Sequence, residues 1–512
     1  MRQYDAVVIG AGHNGLTCAC YLARAGMRVL VVEAKSTIGG MTSSEDLVRP
    51  GYRTDLHASG YQLASLGSAA AELHLDRFGL KLIRPTVALS KVLADQRCLS
   101  IRDTLDASCA NIATFSTRDA ETWRSLFTTY LASKDALRHD LEHPPASPGA
   151  TLTALERGPD AQAQLRFREQ SARSWTNETF ESEAMRGLMA DFAAHAGFAP
   201  DDAGGAAFAF LFLAVIQDFG NRVVEGGMGK LPAALAADLA DHGGEIQTGT
   251  PVSQIVVEAG AATGVQLADG SVVRAGYIAS SAHPHHLVLN LLEHATLEQG
   301  VRAAVERYEP GTSQMGIYLT LAQPPTYLAG ADAAGATQAH LLPATVNGLA
   351  ESFQAIRANQ LPDEPALFIV NEAAVDPSSV PAGASSIKII LTTVPYAVDW
   401  QSQRMPYAQA VIDRLDRDFI PGLKQLITGM VVMSPVDYER DLLSAIRGTV
   451  THGAMVLYQQ GAMRPILQIG QYRGPVRGLY LCGAGSHPGP GVSMMPGRNA
   501  AGFILDDLQH TA

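Results

Sequence analysis

Three things are scarce in this chain, and each scarcity removes a class of function. Among its 512 residues the longest apolar run, Ala206–Ile216, has eleven members, well short of the roughly twenty needed to cross a bilayer. The run reads as a buried helix, the wall of a substrate passage or an interfacial segment, so peripheral membrane contact stays open while a transmembrane segment is not expected. Positive charge is short as well. Lys and Arg number 38 against 50 Asp and Glu, a formal net of -12 with no basic cluster, which argues against nucleic acid and a polybasic membrane anchor.

Cysteine is the third. Cys18, Cys20, Cys98, Cys109 and Cys482 contain no C-x-x-C pair, so neither a thiol–disulfide relay nor thiolate metal ligation is expected, and reduced, mostly buried thiols fit a cytoplasmic protein. A first strand near residue 4 leaves no room for a signal peptide. His283, His285 and His286 have metal-like spacing but no carboxylate or thiol at a usual offset, so no metal is expected and loop placement is the better reading. With 47% hydrophobic and 17% charged residues, the chain reads as an ordinary globular protein. Its length calls for two or three substructures.

The most informative stretch lies at the start. Tyr4–Ile9 is an apolar, β-rich run, Gly10-x-Gly12-x-x-Gly15 follows at once, Leu16–Ala25 carries helix formers, and Arg28–Val32 makes a second buried strand ending at Glu33. Each glycine has a reason: Gly10 for the tight turn, Gly12 for close approach of backbone N–H groups to a pyrophosphate, Gly15 for helix–strand packing. Glu33 is placed to accept from a ribose hydroxyl. Beyond it, Ala34-Lys35-Ser36-Thr37-Ile38-Gly39-Gly40-Met41-Thr42 holds a glycine doublet that lets the chain approach a ligand running past the first turn. NAD enzymes do not need that extension, whereas in many flavoproteins it helps hold the FAD diphosphate and ribityl chain.

The remainder divides by pattern. Residues 71–224 read as a helical cap in which Trp123, Phe127, Tyr130 and Leu131 share a face. Glu225-Gly226-Gly227-Met228-Gly229 leads into an Ala-rich helix, Leu231–Asp241, and then a β-meander over 251–275 turns at Asp269-Gly270. Tyr277–Ala282 returns to the first sheet. Residues 301–469 mix strands and helices, with Met315–Leu321 and Ser386–Thr393 the clearest strands, and read as the sheet floor of a substrate domain. The expected fold class is therefore α/β: a discontinuous Rossmann-type FAD-binding domain over 1–70, 225–300 and 470–512, beside a mixed-sheet and helical substrate region.

At the C-terminus a buried strand, Gly478–Cys482, runs into Gly483-Ala484-Gly485, and Ser486–Met494 leads into a helix through Arg498–Ala501. A helix N-terminus carries about half a positive charge. Aimed at the flavin N1 and C2 carbonyl, it would stabilise the anionic reduced ring.

On these motifs the chain resembles the phytoene desaturase-type FAD oxidoreductases, of the amine oxidase/phytoene desaturase-like fold. Within them it is most similar to the branch holding the FAD-type carotenoid ketolases and pyridine nucleotide-disulfide oxidoreductase domain-containing protein 2. The resemblance covers the cofactor domain. It implies FAD contacts at Gly10, Gly12, Gly15, Glu33, Ala34, Gly39, Gly40, Met41, Thr42, Val252, Gly483, Gly485, Val492, Ser493 and Met494. Pro490 stands where such proteins usually have glycine, and Ser493-Met494-Met495 where Thr-Gly-x is commoner, so carotenoid chemistry is not implied.

The expected function is an FAD-dependent dehydrogenase or desaturase that removes hydride from a carbon of a largely apolar or alicyclic substrate. A single nucleotide fingerprint points to oxygen or a quinone as electron acceptor. A flavin amine oxidase or a carotenoid ketolase is the alternative, and a lipid-group chaperone of the GDP-dissociation inhibitor type the non-enzymatic one. For proton transfer the candidates are His57, in a segment expected to pass the flavin, and His487, which is equally readable as a turn former. Tyr61 either orients substrate or belongs to the core.

Overall fold

The computed structural model describes residues 4–158 and 160–511. Its first sheet is parallel, in the order Leu479–Leu481, Tyr277–Ser280, Ala6–Ile9, Val29–Val32, Glu245–Gln247. Ala6–Ile9 and Val29–Val32 are buried throughout, because layers cover both faces and strands so enclosed read as continuous apolar runs. The sheet's order reverses at Ala6–Ile9, which has Val29–Val32 on one side and Tyr277–Ser280 on the other. Open α/β sheets form their ligand crevice at the carboxyl end of such a switch point.

The termini meet across this sheet. Helix Met495–Thr511 rides on helix His13–Arg24 so closely that a Cβ on Gly497 would stand 2.0 Å from the Asn14 carbonyl oxygen. The meander forms a separate three-stranded sheet, Val252–Glu258, Ala261–Leu267 and Val272–Arg274. Its last turn holds Gly270 at φ +84°, and the Asp269 carboxylate accepts from the Ser271 amide at 2.9 Å.

A seven-stranded sheet forms the second layer, in the order Ile427–Met433, Ser313–Leu321, Ser385–Val394, Leu367–Val370, Gln338–Leu342, Val87–Val92, Cys98–Arg102. Its last two strands come from inside the segment read as a helical cap. Val87–Val92 pairs in parallel with Gln338–Leu342 and buries Leu89, while Leu99 and Ile101 bury the next strand. In the helical part of that segment Glu183–His195 and Gly205–Phe219 pack on the sheet, the latter enclosing the apolar run Ala206–Ile216, and Thr117–Leu141 packs against Gly205–Phe219.

On Thr117–Leu141, Trp123, Phe127 and Tyr130 are buried but Leu131 is 45% exposed. At 3.6 residues per turn Leu131 falls about 80° from Trp123, off the edge of the apolar stripe. The carboxyl end of this helix docks on the C-terminal motif, where the Asn499 amide donates to the Leu141 carbonyl at 3.0 Å. Among the described residues no helix is long and apolar enough to cross a membrane.

Candidate active site

A cavity of about 440 Å³ opens at the switch point, walled by residues from both ends of the chain and from the second sheet. On the nucleotide side Gly10 has φ +95°, and a Cβ on Gly15 would stand 2.1 Å from the Gly10 carbonyl oxygen. Only glycine lets the turn and helix close this far. Gly12 caps helix His13–Arg24 without a side-chain hydrogen bond, so the first-turn N–H groups stay available for an anion. The doublet docks on this turn: Gly39 donates its amide to the Ala11 carbonyl at 2.9 Å, and Gly39 and Gly40 adopt φ +118° and +54°. Glu33 braces the same turn, one oxygen accepting from the Ala11 amide at 2.7 Å and the other from the Lys35 amide at 2.9 Å.

The opposite wall is C-terminal. Gly483, Ala484, Pro490, Gly491 and Val492 line the cavity, and Gly483 sits so close to its neighbouring strand that a Cβ would meet the Ser281 carbonyl oxygen at 2.5 Å. Helix Met495–Thr511 starts just behind, after Met494 at φ +63°. Several residues of this lining carry buried polar atoms without a protein partner, among them His13 Nε2, Asn14 Oδ1, His283 Nε2 and His452 Nδ1. Orphaned polar atoms of this kind call for a ligand or water to satisfy them. Together with open helix-start amides and a Cβ-free turn, they fit a dinucleotide carrying a heterocyclic ring.

Toward the second sheet the wall turns aromatic and apolar: Phe192, Phe208, Phe212, Phe368, Val370 and Ile390. Phe208 and Phe212 stack at 5.0 Å, and the His195 ring lies 5.1 Å from that of Phe368. Histidines apart, the charged side chains of the lining among the described residues are Glu33 and Lys35, beside the nucleotide turn. The histidines are held neutral. Burial pushes His195 down to about 4, helped by His340. Burial also takes His13 to about 4 against an opposing pull from the Gly491 backbone.

His57 belongs to this region. Burial, with the charges of Lys388 and Lys35 adding to it, pushes its imidazole down to about 3; its Nδ1 has no partner, and its ring lies 5.2 Å from that of Tyr438. The segment carrying it is fastened to strand Ser385–Val394 by the buried Lys388, whose ammonium donates to the Asp55 carbonyl at 2.8 Å, the His57 carbonyl at 3.0 Å and Ser59 Oγ at 2.5 Å. Burial lowers the Lys388 pKa and raises that of Asp55.

Of the residues singled out in the sequence, Gly10, Gly12, Glu33, Ala34, Gly40, Met41, His57, Val252, Gly483 and Val492 line the cavity. Gly15, Gly39 and Thr42 lie behind that wall and shape it; Thr42 Oγ1 donates to the Gly39 carbonyl at 2.7 Å. Gly485, Ser493 and Met494 also lie behind it, and Met494 is fully buried in the core under the first sheet. His487 and Tyr61, the other two proton-transfer candidates, are outside the lining. His487 Nε2 donates to the Asp140 carbonyl at 3.0 Å, which ties the C-terminal turn to the long helix. Tyr61 is 1% exposed within the same core as Met494, at the residue that precedes the short helix Gln62–Leu66. His283 lines the cavity, its ring 5.0 Å from His285 and 5.6 Å from His452. His195, Tyr438 and His452 escaped sequence reasoning, since nothing local marks them. His13 carried a signal, its place as first helical residue of the glycine turn.

A model of the family described as flavin containing amine oxidoreductase matches residues 15–497. Pyridine nucleotide-disulfide oxidoreductase domain-containing protein 2 of Mus musculus is 28% identical, with 99% of this chain and 94% of that protein covered. A limonene dehydrogenase subunit of Castellaniella defragrans is also 28% identical, over 99% of this chain and 95% of its own. Among solved structures, cyclohexylamine oxidase from Brevibacterium oxydans aligns with a TM-score of 0.61 at 17% identity, covering 99% of this chain and all of that one, 100%.

Proposed function

The chain belongs to the family of flavin-containing amine oxidoreductases, and from that premise we propose that this FAD-dependent oxidoreductase removes hydride from a carbon of a compact, largely apolar or alicyclic substrate and passes the electrons to oxygen or a quinone. The observation that carries this reading is the wall beyond the nucleotide turn. Phe192, Phe208, Phe212, Phe368, Val370 and Ile390 offer dispersion contacts and no fixed charge, and transfer of apolar surface out of water drives binding there at about 25 cal/mol per Å². The cavity of about 440 Å³ has to take the flavin as well as the substrate, and the space left at its aromatic end favours a compact ring compound over a long polyene. The similarity to a protein of limonene dehydrogenase supports an alicyclic substrate.

FAD, when bound, supplies the two-electron acceptor, and the chain supplies the rest. First-turn amides of His13–Arg24, Gly39-Gly40 and Glu33 would hold the adenosine, diphosphate and ribityl parts. The Phe192–Phe212 wall orients substrate and excludes water. The His57 imidazole, unprotonated at neutral pH, takes the proton released from the neighbouring carbon. Its low basicity means that it passes the proton on rather than keeping it. One parallel sheet with one glycine turn supports oxygen or a quinone as acceptor, and five free thiols fit a reducing compartment such as the cytoplasm.

Anaerobic mixing of the yellow holoenzyme with limonene, with cyclohexanol and with cyclohexylamine tests the reading. Loss of the flavin's visible absorption with an uncharged ring compound is the expected result. Bleaching by the amine alone would replace it with amine oxidation, and a colourless protein that cannot be loaded with FAD would favour the lipid-group carrier.

A further inference from the structure

Arg464 is 1% exposed and has no carboxylate partner among the described residues. Its Nε donates to the Ala484 carbonyl at 3.0 Å, its Nη2 to the Thr451 carbonyl at 2.7 Å, and its Nη1 reaches the Gln459 carbonyl at 3.5 Å and Met455 Sδ at 3.7 Å. All four acceptors are uncharged. An arginine stays protonated in a protein interior, and a buried cation without an anion is costly. A fold that keeps one has a negative charge to set against it.

The location identifies that charge. Ala484 and Thr451 both belong to the cavity wall, so the guanidinium stands one residue behind it. A Cβ on Gly489 would lie 3.5 Å from Arg464 Nε, so the Gly483–Val492 loop passes directly over the cation. The neighbouring histidines add no charge of their own. His452 is pushed down to about 3 by burial and then by Arg464, and His283 is lowered mainly by burial, with Arg464 again among the causes. Hydride transfer from a substrate carbon adds two electrons and one proton to the flavin ring, and therefore one negative charge. We propose that Arg464 is the fixed counter-charge of the reduced flavin, acting by its field through the Ala484–Thr451 wall and so tilting the cofactor toward reduction. This rests on FAD being the cofactor and is independent of which substrate donates the hydride.

The test is the ratio of reduced to oxidised flavin in the anaerobic holoenzyme, equilibrated with a redox dye of known potential. Two unit charges about 10 Å apart in an effective dielectric of about 20 interact strongly enough to change that ratio on the order of tenfold, about 30 mV for a two-electron couple. Arg464→Gln should lower the ratio by that factor, Arg464→Lys should keep it, and both should bind oxidised FAD as the wild type does. An unchanged ratio in Arg464→Gln, or an equal fall in Arg464→Lys, overturns the proposal. So does weaker binding of oxidised FAD with an unchanged ratio, which would assign the charge to the diphosphate. Should the Gln variant fail to fold, the wild-type potential decides: one proton per two electrons, about 30 mV per pH unit, is expected from neutral into mildly acidic pH, and twice that slope overturns it.

Discussion

The nucleotide half and the substrate half of the cavity are built by opposite means. The nucleotide half is backbone: amides at a helix start, the Ala11 carbonyl bridged by Gly39 at 2.9 Å, and glycines such as Gly15 and Gly483, where an added Cβ would stand 2.1 and 2.5 Å from a carbonyl oxygen. It comes chiefly from residues 9–41, with strips from 251–252, 281–286 and 483–492. The substrate half is side chain, gathered from helices Glu183–His195 and Gly205–Phe219 and from strands Leu367–Val370 and Ser385–Val394. A backbone site tolerates no added atoms, whereas a wall of side chains yields to substitution one contact at a time.

The sharpest way to break this contrast is Gly15→Ala. Its Cβ would fall 2.1 Å from the Gly10 carbonyl oxygen, so the turn opens and the purified protein should carry no flavin, read from its visible absorption. Retention of full flavin would end the backbone account. His57→Gln comes next. It should leave flavin content intact but slow anaerobic flavin reduction by roughly 100-fold, the low end for loss of a general base; an unchanged rate would remove His57 from the chemistry. Phe192→Leu, on the opposite wall, should keep its flavin and raise KM about tenfold through lost aromatic contact. Flavin loss in that variant would show the halves to be one unit.

Acidity gives the mildest discrimination. His13, His57, His195 and His452 hold folded pKa values of about 4, 3, 4 and 3, below the free value of 6.5. As pH falls through 6.5 the unfolded chain takes up these protons first, so stability is whole above that pH and declines toward pH 3–4 by about 1.4 kcal/mol per pH unit for each proton. Tm should therefore drop below pH 6.5, and His195→Phe should make the drop shallower by one proton. An identical slope would mean that His195 is protonated in the fold.

Legibility followed the same divide. The first sheet, the meander and the glycine turn were readable because each depends on neighbours in the chain: period, turn chemistry, the demand for positive φ. Leu131 was misplaced by a residue-counting pattern that does not see where the stripe ends. Strands Val87–Val92 and Cys98–Arg102 were hidden among helices: they pair with each other, and the strand that ties them into the sheet, Gln338–Leu342, lies about 250 residues away. His487 and Tyr61 stood at plausible distances along the sequence, yet the long helix claimed one and the core the other.

By itself the sequence pointed to a dinucleotide-binding turn at Gly10–Gly15 and to a glycine doublet beyond it, and it holds no cluster of positive charge to invite nucleic acid. Only the tertiary structure decided which side chains close the other half. It brought Phe192, Phe212 and Phe368 to one wall, left His57 Nδ1 unpaired and set Arg464 behind the C-terminal loop without an acid, among the described residues. The physical reason is range: backbone geometry is fixed by a few consecutive residues, while burial and the field of a charge are sums over everything packed around a point.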